Sequence, residues 1–497
     1  MQNRSLEREI KLEVPANFNL PDLDAAYDGV TAHPRGARRY ATTYYDTTDL
    51  RLARWGCSLR YRDGQGWTLK LPEPSDGEAA MFRTEYVFDG PAGAPPAAAL
   101  DLVASMLRRA RVRVVARLNA IRRTIDLRSN GEALAEVTDD VVSVLRANRV
   151  LRRFREIEIE LAKDGPLTLL DAVAARLQAA GAGAPHQVPK VVQALGSRAA
   201  GPAEVAAVEP DPDGPASAVI SFALARSVER LIRHDPLIRA SGDVEAVHQA
   251  RVATRRLRSD LRTFRPLLKK SWSDSLRRRL REAADALGAV RDADVFIERL
   301  NDAAAKLPVA DRVEAGAVVG DHAAERARRY EALLAVLRSD AYLGLLDELI
   351  EGAARPQTLR SALRAARLEL PALVADQWKK AKRAATSAQR LQSDDALHRL
   401  RIRIKRCRYA MDAVAPVAGK RAKAFAKAAG KLQQMLGTHH DAVVAHGLLR
   451  EYAKHGAAFA AGELAMIEWR AAGKTRKSWL GGWQKVAAAR QRLGSWS

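Results

Sequence analysis

The stretch His248-Gln-Ala-Arg251-Val-Ala-Thr-Arg255-Arg256-Leu-Arg258 returns 150 residues later as His398-Arg-Leu-Arg401-Ile-Arg-Ile-Lys405-Arg406-Cys-Arg408. On a helix turning ~100° per residue, positions 248, 251, 255, 258 and 262 fall within an arc of ~80°, as do 398, 401, 405 and 408. Each copy therefore presents one histidine and at least three cations as a single ridge. Like charges at this spacing repel by a few tenths of a kcal/mol per pair, so the helix gains nothing from them and a polyanion would relieve the repulsion. A single ridge reads as readily as a solvated basic face; its repetition in register favours a ligand. No second nitrogen or thiolate ligand stands four residues from either histidine, so the spacing speaks for anion binding over metal ligation.

A second set of charges follows strand alternation. Glu7, Glu9 and Lys11 share one face, as do Arg60 with Arg62, Arg83 with Glu85, and Glu156, Glu158 and Glu160. The interleaved positions are apolar: Ile10 and Leu12, Leu59 and Tyr61, Ile157, Ile159 and Leu161. A sheet that shows its charges to water, laced with salt bridges, would carry this pattern. So would a curved sheet packed under helices by its apolar face, with the charged face lining a lumen. In a lumen, carboxylates from two strands could hold a hard divalent cation, which prefers oxygen ligands. Lys and Arg between them could hold phosphates. Transfer of a phosphoryl group from such a chain rests on positioning and charge neutralisation. No Ser/His/Asp or Cys/His set accompanies these residues, so a covalent mechanism is not expected.

The elements that must position these groups fall into two regions. Short strands are expected at 4–14, 39–45, 57–62, 67–71, 82–88, 111–118, 121–127, 132–138 and 154–161, with hairpin turns at Asp63-Gly-Gln-Gly66 and Ser129-Asn-Gly131. Helical pieces are expected at 22–29, 49–55, 97–109 and 167–180. So many antiparallel strands in a short span predict a barrel or strongly curved sheet. Residues 196–216, containing Glu209-Pro-Asp-Pro-Asp-Gly-Pro215, have linker composition. Beyond them the chain is Ala- and Leu-rich and helical, with breaks expected at Pro236, Pro308, Pro356 and Pro371. The duplication continues there: Leu287-Gly288 to Asp292 recurs as Leu436-Gly437 to Asp441, and a further basic helix precedes each (Lys269, Lys270, Arg277 and Arg281; Lys420, Lys423, Lys427 and Lys431). Two helical bundles, about 217–350 and 357–490, related by a pseudo-two-fold axis, would bring both ridges towards one groove or pore. The fold class expected is thus multidomain: an eight-stranded antiparallel β tunnel over 1–195, a linker at 196–216 and an all-α region over 217–497.

The 497 residues suffice for several cores, and 47% hydrophobic content marks a globular chain. Two cysteines, Cys57 and Cys407, form no disulfide framework; with no signal core or membrane span in the sequence, a cytoplasmic location is expected. Residues 1–200 carry 29 Lys and Arg against 25 Asp and Glu, whereas 201–497 carry 53 against 34. The partner of the second region should therefore be strongly acidic. Nucleic acid, anionic membrane and inorganic polyphosphate qualify on charge alone. Aromatic content of 5% leaves few stacking platforms, which disfavours nucleic acid.

Glu7-Arg-Glu9-Ile-Lys11 is similar to the ExExK signature of the CYTH domain, the triphosphate tunnel metalloenzymes. Tyr44-Tyr45-Asp46-Thr-Thr-Asp49-Leu-Arg51, Leu59-Arg60-Tyr61-Arg62, Trp67-Thr-Leu-Lys70 and Arg83-Thr-Glu85 follow the family's order. The resemblance implies an eight-stranded tunnel that hydrolyses, or in some members cyclises, triphosphates with Mg²⁺ or Mn²⁺. By position it implies Glu7, Glu9 and Lys11 as catalytic residues. Glu7, Glu9, Asp140, Glu156 and Glu158 are then the metal ligands, and Arg60, Arg62, Lys70, Arg83, Arg123 and Lys190 the phosphate holders, with Lys11 beside them. Asp140 is followed by Val141-Val142 where the family carries a glycine, and Arg122 competes with Arg123 for its position.

The second region resembles the CHAD domain: His-x2-Arg-x3-Arg/Lys-Arg-x-Arg occurs in both halves, each closed by Leu-Gly-x3-Asp. This resemblance implies binding of long-chain inorganic polyphosphate, in some members with attachment to polyphosphate granules. The polyphosphate contacts expected are His248, Arg251, Arg255, Arg258, Arg262, Lys269, His398, Arg401, Lys405, Arg408, Lys423 and Lys427. His439 and His440, outside the ridge, are expected to have capping or surface roles. The expected function is metal-dependent hydrolysis of inorganic tripolyphosphate, with polyphosphate held by the helices and no membrane partner. A non-catalytic granule-binding protein, or a tunnel directed at thiamine triphosphate or ATP, are the alternatives.

Overall fold

The computed structural model describes residues 3–72, 81–147 and 149–494, divided into two compact units, Met1–Glu204 and Val205–Ser497. In the first unit the strands are β1 (Asn3–Val14), β2 (Thr31–Asp46), β3 (Ser58–Arg62), β4 (Gly66–Pro72), β5 (Met81–Phe88), β6 (Arg113–Ser129), β7 (Glu132–Arg146), β8 (Arg149–Leu161) and β9 (Pro185–His186). They pair in the order β5-β4-β3-β2-β6-β7-β8-β1, and β5 pairs back onto β1, closing an eight-stranded antiparallel barrel with β9 added beside β1. Closure removes every long sheet edge. Short helices join and cover the strands: α1 (Arg51–Arg54), α2 (Ala97–Leu102), α3 (Ala104–Leu107), α4 (Leu167–Ala179), α5 (Lys190–Leu195) and α6 (Ser197–Ala200).

The barrel is apolar where α4 covers its outer face, and its lumen holds buried charges beside a smaller apolar cluster. Ile10, Leu12, Leu127, Ile157, Ile159 and Leu161 pack outward against Leu169, Leu170, Val173 and Leu177 of α4. Burying each such side chain stabilises the unit by roughly 1.5–3 kcal/mol. Inside, on the same strand face as Arg60, Arg122, Asp140 and Glu156, Tyr44, Leu118, Val142 and Phe154 meet Val191 and Val192 of α5. On β1 and β8, strand alternation sends the charged positions between the residues packed under α4 to the interior. Asp46 fixes α1 at the barrel rim, accepting from the backbone N–H groups of Thr47 (2.6 Å), Leu52 and Ala53 (both 2.9 Å).

Several local expectations are corrected. Residues 111–118 and 121–127 form one continuous strand, β6, because Asn119 and Ala120 stay in register with Ala41 and Tyr40 of β2. Residues 22–29 are turns, not helix: Asp22 accepts from the Asp24 N–H in a local turn, and Asp24 accepts from the Ala32 N–H of β2, which ties the segment to the sheet. The start of the acid- and Pro-rich stretch folds onto the first unit, where Glu204 accepts from Trp55 Nε1 (3.2 Å) and Arg108 (2.6 Å).

The second unit contains α7 (Ala216–Ser241), α8 (Val244–Thr263), α9 (Lys270–Ala304), α10 (Arg312–Arg338), α11 (Asp340–Ala354), α12 (Ala366–Leu391), α13 (Asp394–Tyr452) and α14 (Ala458–Leu493). α13 is broken at Gly419, whose φ of 71° and ψ of −160° leave the helix, so its two halves correspond to α8 and α9. The duplication is visible at the start of each repeat. Ala216 N–H donates to Arg364 O (3.0 Å) and Ala366 N–H to Gly214 O (2.9 Å), a reciprocal pair displaced by 150 residues as an isologous contact requires. Neither Pro236 nor Pro371 breaks its helix. At Pro236 the buried Asp235–Arg239 ion pair (2.5 Å) spans the same turn, and Tyr342 Oη donates to Asp235 (3.0 Å). No helix among the described residues is long and apolar enough to cross a membrane.

Candidate functional site

Register decides which charges meet inside the barrel, since residues directly opposite share a face. Glu7 lies opposite Arg83, Lys11 opposite Glu158, Lys70 opposite Glu85, and Asp140 opposite both Arg122 and Glu156. The result is a cavity of about 210 Å³ lined by Glu7, Glu9, Lys11, Arg60, Arg62, Lys70, Arg83, Glu85, Arg122, Glu158, Glu160 and Lys190.

Two clusters border it, the first through Glu158, Arg122 and Lys190. In the first, Asp140, Glu156 and Glu158 each bring a carboxylate oxygen within 4.8 Å of the others. The Lys190 ammonium, delivered by the first residue of α5, sits among them at 2.7, 2.8 and 2.7 Å. Arg122 completes the cluster, bidentate on Asp140 (2.8 and 2.6 Å) and 3.0 Å from Glu158. Lys11 bridges Glu158 and Glu9, the latter at 3.4 Å. Burial opposes ionisation of Glu158, yet Lys11, Lys190 and Arg122 together hold its carboxyl well below the usual range. Asp140 is likewise held down, against its burial, by Lys190 and Arg122.

In the second cluster, Lys70 Nζ lies 2.6 and 2.7 Å from the two oxygens of Glu7 and 3.0 Å from Glu85. Burial, only partly offset by Lys70, pushes Glu7 up to about 8, helped by Glu85 and Glu160. Glu85, opposed by its own burial, is held at about 2 by Lys70, by its hydrogen bond with Glu7 and by Arg60. The pair therefore shares one proton, carried by Glu7. Glu160 is also raised, to about 7, by burial and its carboxylate neighbours. Around these groups Glu9 Oε1, Arg60 Nε and Arg83 Nε are buried without a hydrogen bond, an arrangement that leaves donors and one acceptor for a polar ligand.

These residues fit a divalent cation. Three carboxylates converge as a hard oxygen donor set, and the position between them already accommodates a cationic group, the Lys190 ammonium. Glu7 and Glu9 stand instead with Lys70 and Lys11. Arg123 is corrected: its side chain is 63% exposed on the outer wall beside Asp139 (3.5 Å), whereas Arg122 faces inward. The signal was present in the strand itself. Arg122 has the parity of Ala116 and Leu118, which are buried inside, and Arg123 that of the exposed Arg113, Arg117 and Asn119. Gln193, which donates to Glu156 Oε2 (2.7 Å), was missed, and Glu85, placed on the charged face with Arg83, had been given no role.

In the helical unit Arg251, Arg255, Arg258 and Arg401 converge on Lys405. Burial and these four cations lower the Lys405 ammonium to about 6. Arg255, Arg256 and Arg408 stack on the Tyr409 ring at 5.5, 5.3 and 5.7 Å. Arg255 and Lys405 are equivalent positions of the two repeats, so their approach marks the pseudo-two-fold axis. Burial, with the charges of Arg406, Arg277, Arg258 and Arg403 in the neighbourhood, lowers Arg262 to about 10. Lys269, Lys423 and Lys427 stand exposed on their helices. His248 is held low by burial and Arg291. His398 Nδ1 is 3.1 Å from His440 Nδ1, so a second ring nitrogen does reach a ridge histidine, from another part of α13 and not from the i+4 position. His439 is buried between Asp394 (2.9 Å) and the Ala472 carbonyl (3.1 Å), tying the α13 N-terminus to α14.

A closed antiparallel barrel with inward carboxylates and cations, followed by a duplicated helical unit with two basic ridges, defines a two-domain protein of triphosphate-tunnel type. Residues 5–187 match the family model of the CYTH domain, and residues 222–450 that of the CHAD domain. An uncharacterized protein of Mycobacterium tuberculosis, Rv2226, is 32% identical over 469 residues, covering 89% of this chain and 87% of that one. The chain belongs to the CYTH–CHAD family. Among solved structures, PptA from Streptomyces chartreusis is similar with a TM-score of 0.46 and 21% identity, over 54% of this chain and 99% of that one. The CHAD domain of the plant Ricinus communis is similar with a TM-score of 0.43 and 25% identity, over 58% of this chain and 95% of that one.

Proposed function

We propose that the tunnel hydrolyses inorganic tripolyphosphate with a divalent metal, Mg²⁺ or Mn²⁺, and that the helical unit binds long-chain polyphosphate, which would also attach the protein to polyphosphate granules. The observation that carries this reading is the inward gathering of charge: a three-carboxylate cluster that reaches the cavity through Glu158, and buried arginine N–H groups without hydrogen bonds on the cavity wall. Asp140, Glu156 and Glu158 would hold the metal, which when bound polarises phosphate oxygens and neutralises their charge.

Arg60, Arg62, Lys70, Arg83 and Arg122 bind the phosphate oxygens, and Lys11 and Lys190 complete the positive field. Glu9 Oε1 accepts a proton from the water that attacks the terminal phosphorus. That phosphorus–oxygen bond forms as the bridging bond breaks, releasing orthophosphate and diphosphate. Glu7, protonated near neutrality, supplies a proton to the departing oxygen. The cavity of about 210 Å³ favours a bare phosphate chain over ATP or thiamine triphosphate.

Orthophosphate release from tripolyphosphate, ATP, thiamine triphosphate and long polyphosphate, each with Mg²⁺ or Mn²⁺, tests the reading. Tripolyphosphate should be turned over fastest, with activity lost in Glu7→Gln and kept in Arg255→Ala. If Glu7→Gln hydrolyses tripolyphosphate as fast as the natural protein, the catalytic claim fails and a granule-binding role with a holding tunnel remains.

A further inference from the structure

Between α13 and α14 runs a groove of about 890 Å³, away from the ridge histidines and their arginine cluster. Its walls are two helical stripes of equal length. One runs from Arg421 through Ala428 and Leu432 to Met435, the other from Ser478 through Gly482 and Ala489 to Arg492. The fourteen rises of 1.5 Å from the first residue of each stripe to the last give it a length of ~21 Å. The floor is apolar, with Leu432 buried and Met435 half-buried. The rim holds Arg421, Lys427, Lys431, Lys485 and Arg492, and no acidic residue lines it. A basic rim around an apolar floor is complementary to neither a bare polyanion nor an uncharged chain.

The other repeat supplies the comparison. The Leu-Gly motifs are displaced by 149 residues, so Arg421 and Ala428 correspond to Trp272 and Arg279. In the first repeat those two positions are covered by α11: Arg279 forms an ion pair with Glu348, and Trp272 abuts Gly352. α11 is an acidic amphipathic helix. Asp340, Asp347, Glu348 and Glu351 are its charges, with no Lys or Arg, while Tyr342, Leu345, Leu346 and Leu349 are buried. In the second repeat the equivalent positions face open groove.

We infer that the α13–α14 groove docks an acidic amphipathic helix of about four turns from a partner protein, as α11 docks within the first repeat. Apolar residues at i, i+3, i+4 and i+7 seat on Leu432, Met435 and Ala428, and flanking Asp or Glu meet Lys431, Lys427 and Lys485. This does not depend on what the tunnel hydrolyses.

The full-length protein is titrated into a fluorescein-labelled peptide of residues 340–354, acetylated and amidated. A second peptide has the same composition with its apolar residues scattered round the helix. Anisotropy should saturate with the first and be at least ten-fold weaker with the second. Exposed Lys431→Glu with Lys485→Glu should weaken the first at least ten-fold, whereas Lys380→Glu with Arg383→Glu, on another basic face, should change it less than two-fold. Equal binding of both peptides, or none that saturates, overturns the proposal. So does tighter binding of long polyphosphate than of peptide at the Lys431 and Lys485 site, or flotation with phosphatidylglycerol vesicles that the same double variant abolishes.

Discussion

Lys190 Nζ lies 2.7 Å from Asp140 Oδ2, and the same ammonium reaches Glu156 and Glu158. A lysine side chain thus occupies the space between the three carboxylates best disposed to hold a cation. Removing one partner of a buried ion pair costs roughly 3–5 kcal/mol, because the remaining charges stay buried and uncompensated. Lys190→Met should therefore lower the melting temperature of the tunnel unit in metal-free buffer, and Mn²⁺ should restore it. The check is thermal unfolding with and without Mn²⁺: the stabilisation by Mn²⁺ should be larger in the variant than in the natural protein. Equal Mn²⁺ shifts would mean that lysine and metal do not compete.

Glu7 gives the tunnel unit a pH-dependent stability of defined sign. Burial, with Glu85 and Glu160, raises its folded pKa to about 8 from an ordinary 4.5. Between those values the folded chain binds a proton that the unfolded chain has released, so stability falls as pH rises through this window. Glu7→Gln removes the titration. Its melting temperature should decline less between pH 5 and 8.5 than that of the natural protein, by an amount equivalent to about 2–4 kcal/mol. Parallel declines would show that Glu7 ionises normally.

How far the sequence foretold this arrangement depends on which physical constraint was local. Alternation in β1 and β8 placed Glu7, Glu9, Glu156 and Glu158 on one face because period two is a property of the strand alone. The duplication was legible by displacement, since Arg255 and Lys405 keep the same neighbours. Register was not legible. Whether Arg122 or Arg123 meets Asp140 follows from how β6 pairs with β7, and only the parity that Arg122 shares with Ala116 and Leu118 hinted at it. Tertiary meetings were equally hidden: His398 with His440 joins residues 42 apart, and Lys190 reaches the carboxylates from a helix that follows the last strand. The turns at 22–29 hold an apolar-charged mixture that reads as helix until Asp22 binds the Asp24 N–H and Asp24 the Ala32 N–H of β2.

The contrast between Arg122 and Arg123 can be measured directly. Arg122 is bidentate on Asp140 inside the cavity, while Arg123 lies largely in solvent, where an ion pair contributes ~0–1 kcal/mol. Arg122→Ala should raise the KM for tripolyphosphate at least ten-fold and destabilise the unit. Arg123→Ala should leave both within two-fold and ~0.5 kcal/mol respectively. Comparable effects of the two would place the phosphate contact outside the cavity.

Lys405 predicts that polyphosphate binding by the helical unit is linked to proton uptake. Burial and its neighbours Arg255, Arg401, Arg251 and Arg258 depress its ammonium to about 6, so at pH 7.5 the free protein holds this lysine mostly neutral. A bound polyanion offsets those four cations and raises the lysine towards its ordinary value, so binding takes up a proton at any pH above about 6. Affinity should therefore tighten as pH falls from 8.5 towards 6, by up to about ten-fold per pH unit, and level off below 6. Calorimetry in two buffers of different ionisation enthalpy should report close to one proton taken up at pH 7.5. Lys405→Arg, charged throughout, should bind with an affinity that is flat across this range and take up no proton. A natural protein whose affinity is already flat from pH 6 to 8.5 would show that the lysine is charged before the polyanion arrives, and would remove proton linkage from the account of this site.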